Sequence, residues 1–125
     1  MAARRAKILI VEDDRLVAMS LAEALVMASS VAEALTLAQR LSPDLAIFDI
    51  RLPGDEDGIV GAGLLRRSSD LPILFLTGEI EPGVRKRAAA FQSAALLIKP
   101  VHAQMLIEAV ERILQQGNLE LKRPA

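Results

Sequence analysis

The chain contains no cysteine, tryptophan or tyrosine. Without thiols it can form neither a disulfide nor a thiolate metal site, and a reducing compartment is its simplest setting. It also lacks an excess of either charge: Lys plus Arg number 15 against 16 Asp plus Glu, a formal net charge of -1. Nucleic-acid binding usually rests on a basic surplus, so this balance argues against it. No apolar run approaches the ~20 residues of a membrane helix. The opening Met-Ala-Ala-Arg-Arg-Ala-Lys has the charge of a secretion signal, but the apolar stretch Ile8–Val11 is too short for one and gives way at once to three acids. The expectation is a cytoplasmic protein with neither a nucleic-acid nor a membrane partner.

What is present is mostly aliphatic. Hydrophobic residues make up 52% of the chain and aromatics only 2%, so a core must be built from Ala, Leu, Val and Ile. At 125 residues the chain has the usual size of one domain. A chain of this length buries roughly two thirds of the surface its unfolded form exposes, enough for a core without covalent staples.

Short apolar runs lie at Lys7–Val11, Leu45–Phe48, Ile73–Leu76 and Ala95–Ile98. Such runs suit strands buried on both faces of a parallel sheet. Between them lie helical stretches. Arg15–Leu25 follows an Asp suited to capping. Val31–Leu41 follows Ser30, with Glu33 three residues on, a capping-box pattern, and Pro43 stops it. Ile59–Ser68 ends before Asp70-Leu71-Pro72. Pro82–Phe91 opens on a proline, and His102–Gln116 closes at Gly117. The spacing predicts one domain over residues 1–117 and a tail over residues 118–125, with no internal repeat. Strands alternating with helices give a doubly wound α/β layer, with helices on both faces of a parallel sheet.

In such folds function gathers beyond the carboxyl ends of the strands. Glu12-Asp13-Asp14 follow the first apolar run, Asp49 ends the run at 45–48, Thr77 follows the next, and Lys99-Pro100 follow the last. A cluster of carboxylates raises its members' pKa values unless a cation relieves the repulsion. Mg²⁺ or Mn²⁺ suits such oxygen donors. A carboxylate beside the cation can be a nucleophile toward a phosphoryl group. The transferred group spreads charge over its outer oxygens, which the cation, the Lys99 ammonium and the Thr77 hydroxyl are suited to stabilise. Each piece alone has a plainer reading: an acidic triplet is more often a solvated helix start, a Thr a turn cap, a Lys a solvated strand end. Their joint occurrence favours a site.

The segments Ile8–Asp14, Asp44–Gly54, Pro72–Gly78 and Lys99-Pro100, in this order, resemble the four signatures of response-regulator receivers. The resemblance spans Lys7 to about Gln116. It implies a flavodoxin-like sheet of five parallel strands in order 2-1-3-4-5. It further implies Asp49 as phosphoacceptor, and Glu12, Asp13, Asp49 and the Arg51 carbonyl as ligands of Mg²⁺. Thr77 and Lys99 would bind the phosphoryl group and carry the switch. The implied partners are a histidine kinase or histidine phosphotransferase as donor and a separate downstream protein as target. The implied chemistry is self-phosphorylation and dephosphorylation rather than turnover catalysis. A cis peptide at Lys99-Pro100 is expected on the same grounds.

Three departures qualify the match. The position three before Lys99, usually aromatic in the family, is Leu96. Gly58 lies one residue further from Asp49 than in many receivers. The stretch from Asp13 to Asp49 is short. Leu96 keeps a rival reading open, a receiver-like adaptor that works without phosphorylation. A phosphatase of the haloacid dehalogenase type would need an acid two residues after Asp49, where Arg51 stands. Arg51 and Glu79 are expected to flank the mouth of the site and to pair. His102, the single histidine, reads as a surface residue. Arg85-Lys86-Arg87 reads as a solvated helical face, with docking of an acidic partner as the alternative.

The short stretch raises a connection problem. If Arg15–Leu25 is a helix and Val26–Ser29 the second strand, no residue is left to turn between them, whereas such loops normally take ~2–6. A single helix from Arg15 to Gln39 would remove that strand and expose a hydrophobic edge. The preferred expectation is a chain that is not contiguous between Leu25 and Val26, because Ala28–Leu35 looks like the ordinary entry to the second receiver helix.

Overall fold

A computed structural model of the protein describes residues 4–11, 25–51, 57–78, 82–117 and 119–120. In chain order these form β1 (Arg4–Arg5), β2 (Ile8–Val11), β3 (Leu25–Ala28), α1 (Val31–Leu41), β4 (Leu45–Asp49), α2 (Gly58–Arg66), β5 (Ile73–Thr77), α3 (Pro82–Phe91), β6 (Ala95–Ile98), α4 (Ala103–Gln116) and β7 (Leu119–Glu120). The sheet has five parallel strands in the order β3-β2-β4-β5-β6. With the two-residue β1 set aside, this is the expected 2-1-3-4-5.

The apolar runs become strands because helices cover both faces. Every residue of β2, β4 and β5 is buried. Alternate side chains then feed two separate cores. On one face Ile8, Ile10, Leu45, Ile47, Leu74 and Leu76 meet Leu106, Ala109, Val110 and Leu114 of α4. On the other, Leu9, Val11, Ala46, Phe48, Ile73 and Phe75 meet α1, α2 and α3 through Ala34, Ile59, Ala62, Leu65 and Ala88. At this second face α2 comes close enough that a side chain on Gly61 would stand 2.7 Å from Val31 Cγ2 and 3.2 Å from Phe48 Cε1.

Helix boundaries follow local chemistry. The Ser30 hydroxyl accepts the Glu33 N–H at 3.2 Å, and the Glu33 carboxylate accepts in turn from the Ser29 N–H and hydroxyl. This is the reciprocal cap the sequence suggested, reaching one residue further back than usual. Ser42, in the left-handed region at φ 48°, ends α1 by donating its N–H to the Ala38 carbonyl. α2 opens at Gly58 rather than Ile59, because Asp57 caps it, and closes at Arg66 rather than Ser68.

The connection problem resolves differently from expectation. Leu25 and Val26 are successive residues of β3, in register with Ile8 and Leu9 of β2. They are not the two sides of a break. A helix cannot extend to Leu25, and a single helix from Arg15 to Gln39 is excluded. The chain between Val11 and Leu25, residues 12–24, is thus 13 residues long, close to the dozen that a parallel crossover needs at minimum. The expected helix Arg15–Leu25 otherwise lies outside the described residues. At the far end, Leu119–Glu120, within the tail expected over residues 118–125, pairs in parallel with Arg4–Arg5.

Candidate functional site

The parallel register sets out the site as a staircase. Phe48 stands opposite Phe75 and Asp49 opposite Leu76; Thr77 ends β5 opposite Ile98, and Lys99 follows. The polar residues therefore step up by one residue per strand along the carboxyl edge. Asp49 continues the Leu45, Ile47 row of β4, and Lys99 continues the Ala95, Leu97 row of β6, so both project to the α4 side of the sheet. Two inter-strand spacings, ~10 Å, separate their backbones, a gap that a long lysine can cross. Lys99 Nζ donates to Asp49 Oδ2 at 2.9 Å, over the end of β5.

Asp49 is 5% exposed and Thr77 1%, the two buried polar residues among those described. A carboxylate taken out of water is costly unless charge and hydrogen bonds replace its hydration. Here the ammonium of Lys99 holds one oxygen, and the Arg51 backbone N–H donates to the other, Oδ1, at 3.0 Å. The strand ends are themselves tied: Lys99 N–H donates to the Thr77 carbonyl at 2.8 Å and Ile50 N–H to the Leu76 carbonyl at 2.9 Å. The Lys99-Pro100 peptide is cis, as expected.

The corner where the chain returns toward α2 was not foreseen as part of the site. Gly58 N–H donates to the Ile50 carbonyl at 2.8 Å. A Cβ at Gly58 would overlap the Asp49 carbonyl oxygen and come within 2.8 Å of the Asp49 carbonyl carbon and 2.9 Å of Ile50 Cα. Asp57, just before it, caps α2 by accepting the Val60 N–H at 2.9 Å, and its other oxygen pairs with Arg87 of α3 at 2.7 Å. Asp-Gly ahead of an apolar helical run was the available signal for this cap. Burial pushes the Asp57 carboxyl up, but the hydrogen bonds from Arg87 and from the helix N–H, with the Arg87 charge, outweigh it and hold the group below its ordinary 3.8. Arg85 and Lys86 are exposed as expected; Arg87 is not simply solvated, since Asp57 engages it.

Leu96, at the position expected to carry an aromatic ring, is half-buried and packs against the core that holds Phe75, Ala88, Val84 and Phe91. His102 is exposed and precedes α4 without capping it through its side chain. Arg51 is exposed. Glu12, Asp13 and Glu79 lie outside the described residues, so neither the acidic pair nor an Arg51–Glu79 contact is described. Glu12 does follow directly on Val11, whose register partner is Phe48, so its strand end neighbours that of Asp49. Among the described residues no group of three acidic or metal-ligating side chains assembles, and no helix is long and apolar enough to cross a membrane. A cleft of about 360 Å³, lined by Asp44, Arg66, Asp70 and Gln116 among others, opens where the strands begin and holds none of the expected site residues.

The fold and this strand-edge constellation define a receiver, and residues 8–111 match the family model described as the response regulator receiver domain. The chain belongs to that family. It is 35% identical over 113 residues to the transcriptional regulatory protein PdtaR of Mycobacterium tuberculosis, covering 84% of this chain and 55% of that protein. Among solved structures it resembles the signal receiver domain of a modulated diguanylate cyclase from Desulfovibrio desulfuricans, with a TM-score of 0.78 and 31% identity over 90% of this chain and 95% of that one. It also resembles the chemotaxis protein CheY4 of Vibrio cholerae, with a TM-score of 0.78 and 28% identity over 87% and 98%. The chain spans about half the length of the curated relatives it matches, 50% and 55% of the first two.

Two outcomes follow from the corner geometry. Gly58→Ala should destabilise the protein by about 1–3 kcal/mol, the cost of forcing a methyl into closed packing, read from the urea midpoint. Asp57 has a lowered pKa, so its contribution is present above 3.8 and is lost as the pH falls through its folded value. Wild type should therefore be more stable than Asp57→Asn near neutral pH, and the two urea midpoints should converge in acid below the ordinary carboxylate range.

Proposed function

We propose that this receiver takes a phosphoryl group onto Asp49 from a histidine kinase or histidine phosphotransferase in the cytoplasm, and signals by contact with a separate protein. The observation that carries this reading is the buried Asp49 carboxylate at the end of β4, with Lys99 Nζ 2.9 Å from Oδ2. A buried acid at a strand edge, held by a lysine from two strands away, is more than a core needs.

In the reaction an Asp49 carboxylate oxygen forms a bond to phosphorus as the bond from phosphorus to the donor nitrogen breaks. Lys99 leaves its pairing with the carboxylate to meet a phosphoryl oxygen, its charge offsetting the negative charge gained. Thr77, buried at the next strand end, offers its hydroxyl to another oxygen. Water later attacks the acyl phosphate, restoring the carboxylate and releasing inorganic phosphate. Arg51, exposed beside the acceptor, bears on how readily that water enters.

The donors fit a hard divalent cation. Each Asp49 oxygen accepts one hydrogen bond, and a carboxylate oxygen has capacity for more. The Arg51 carbonyl and the carboxylates of Glu12 and Asp13 would complete an all-oxygen set suited to Mg²⁺ or Mn²⁺. When bound, such a cation neutralises charge on the transferring group.

The rival reading, a receiver-like adaptor independent of phosphorylation, has one observation in its favour: Leu96 cannot supply the aromatic ring of the family's usual switch. Incubation with acetyl phosphate and Mg²⁺ separates the two, a single phosphoryl mass addition supporting the first and none supporting the second. In the same assay Asp49→Asn should take up no label while keeping its circular dichroism spectrum. Full labelling of that variant would remove Asp49 as acceptor. Calorimetry with Mg²⁺ should show Asp13→Ala binding at least about tenfold more weakly, in line with the loss of one charged oxygen ligand; an unchanged affinity would place the cation elsewhere.

A further inference from the structure

Leu96 removes the family's usual link between the phosphoacceptor and α3, yet α3 is tied to the acceptor by another route. Arg87, on the second turn of α3, pairs with Asp57 at 2.7 Å. Asp57 is bonded to Gly58, whose N–H holds the Ile50 carbonyl and whose Cα rests against the Asp49 carbonyl with no room for a methyl. From Arg87 to the acceptor's backbone the chain of contacts is thus one ion pair, one peptide unit and one closed-packed corner. Densely packed groups pass on a shift rather than absorb it. α3 also follows Thr77 in the chain, after residues 78–81, so the helix is attached to both strand ends that carry the site.

The rest of the α3 attachment is indifferent to the acceptor. Phe91 packs edge-on against Phe75 at 5.2 Å between ring centroids and lies under the Arg66 guanidinium at 4.4 Å. Arg66 also donates to the Phe91 carbonyl at 3.0 Å. These contacts anchor the carboxyl end of α3 to α2 and β5. The amino-terminal half of α3 carries exposed Pro82, Gly83, Arg85 and Lys86 with half-buried Val84 against the core, and Ala88, in the carboxyl half, is the one buried residue of the helix among those described. The helix is therefore held along its core face and at its carboxyl end by apolar contacts, and at its second turn by the Asp57–Arg87 pair.

We infer that Arg87 is a positioning residue: through Asp57 and Gly58 it latches α3 to the backbone of Asp49, so that phosphorylation is read at α3 by this ion pair. The coupling rests on the proposed acceptor role of Asp49; the latch itself does not.

Hydrogen exchange at the α3 amides, residues 83–91, tests both parts in the full chain. Asp57→Asn keeps the helix cap, since Asn caps as well as Asp, and removes only the charge; Arg87→Gln removes the other charge, and Arg87→Lys retains it. In unlabelled protein, Asp57→Asn and Arg87→Gln should each speed α3 exchange about two- to fivefold, the range an exposed ion pair supplies. The double variant should go no further, and Arg87→Lys should behave as wild type. Exchange unchanged in Arg87→Gln, or additive in the double variant, would overturn the latch. After labelling with acetyl phosphate and Mg²⁺, wild type and Arg87→Lys should change their α3 exchange. Arg87→Gln, which keeps Asp49 and Lys99 and takes up the label, should show less than half that change. An equal change in Arg87→Gln overturns the coupling. Failure of every protein to take the label overturns the acceptor role and the coupling together, while the unlabelled comparison still decides the latch.

Discussion

A carboxylate buried at the end of a parallel strand is the constraint around which the rest of the molecule is arranged. Asp49 is 5% exposed, and an ion so placed needs charge and donors supplied by the protein. The backbone of Arg51 donates from within the same strand end, and Lys99 donates from two strands away. That second contact requires β5 to lie between them in parallel, with Asp49 and Lys99 on the same side of the sheet. A shift of one residue in the register of β4 or β6 would send one of them to the opposite face. The apolar rows of the two cores therefore hold the ion pair together as much as they hold the fold.

The same corner explains why glycine stands at 58. The chain leaving Asp49 must return across its own strand end to start α2, and the Gly58 Cα meets the Asp49 carbonyl with no space for a side chain. Closing that corner brings Asp57 to the head of α2, where one oxygen caps the helix and the other reaches α3. A packing necessity at Asp49 thereby delivers a charged contact to a helix on the other side of α2.

Much of this was legible in the sequence because it rests on local or periodic signals. The doubly apolar runs Ile8–Val11 and Ile73–Leu76 marked buried parallel strands, and Ser30 with Glu33 marked a helix start. Asp49, Thr77 and Lys99 were legible because each stands immediately after such a run, where a parallel sheet exposes its edge. Three features were not. Leu25 reads as helical in an Ala- and Leu-rich context, and only its pairing with Ile8 assigns it to β3; local propensity yields there to tertiary context. The Asp57–Arg87 pair joins residues 30 apart in sequence, and nothing local distinguishes Arg87 from Arg85 or Lys86. The pairing of Leu119–Glu120 with Arg4–Arg5 likewise depends on where α4 delivers the chain, which no local pattern encodes.

The two members of the Asp49–Lys99 pair are held very differently. Asp49 sits on β4, in the middle of the sheet, with every residue of its strand buried. Lys99 follows β6, an edge strand whose residues are half-buried and whose last, Ile98, is 37% exposed. The one strand neighbour of β6 is β5, and the Lys99 N–H bond to the Thr77 carbonyl is the last rung of that ladder. Opening free energy falls toward elements with few buried contacts and one paired edge. On the proposed phosphorylation of Asp49, Lys99 is thus the partner with the greater freedom to adjust, while any displacement of the Asp49 backbone is small and passes to the closed-packed corner at Gly58. Thr77, whose carbonyl carries that last rung, is 1% exposed at the end of a fully buried strand, so it holds the sheet side of the rung. The sheet thus holds Asp49 at its centre and leaves Lys99 toward its edge, where β6 packs on the α4 core through Ala95 and Leu97 and on the other core through Leu96.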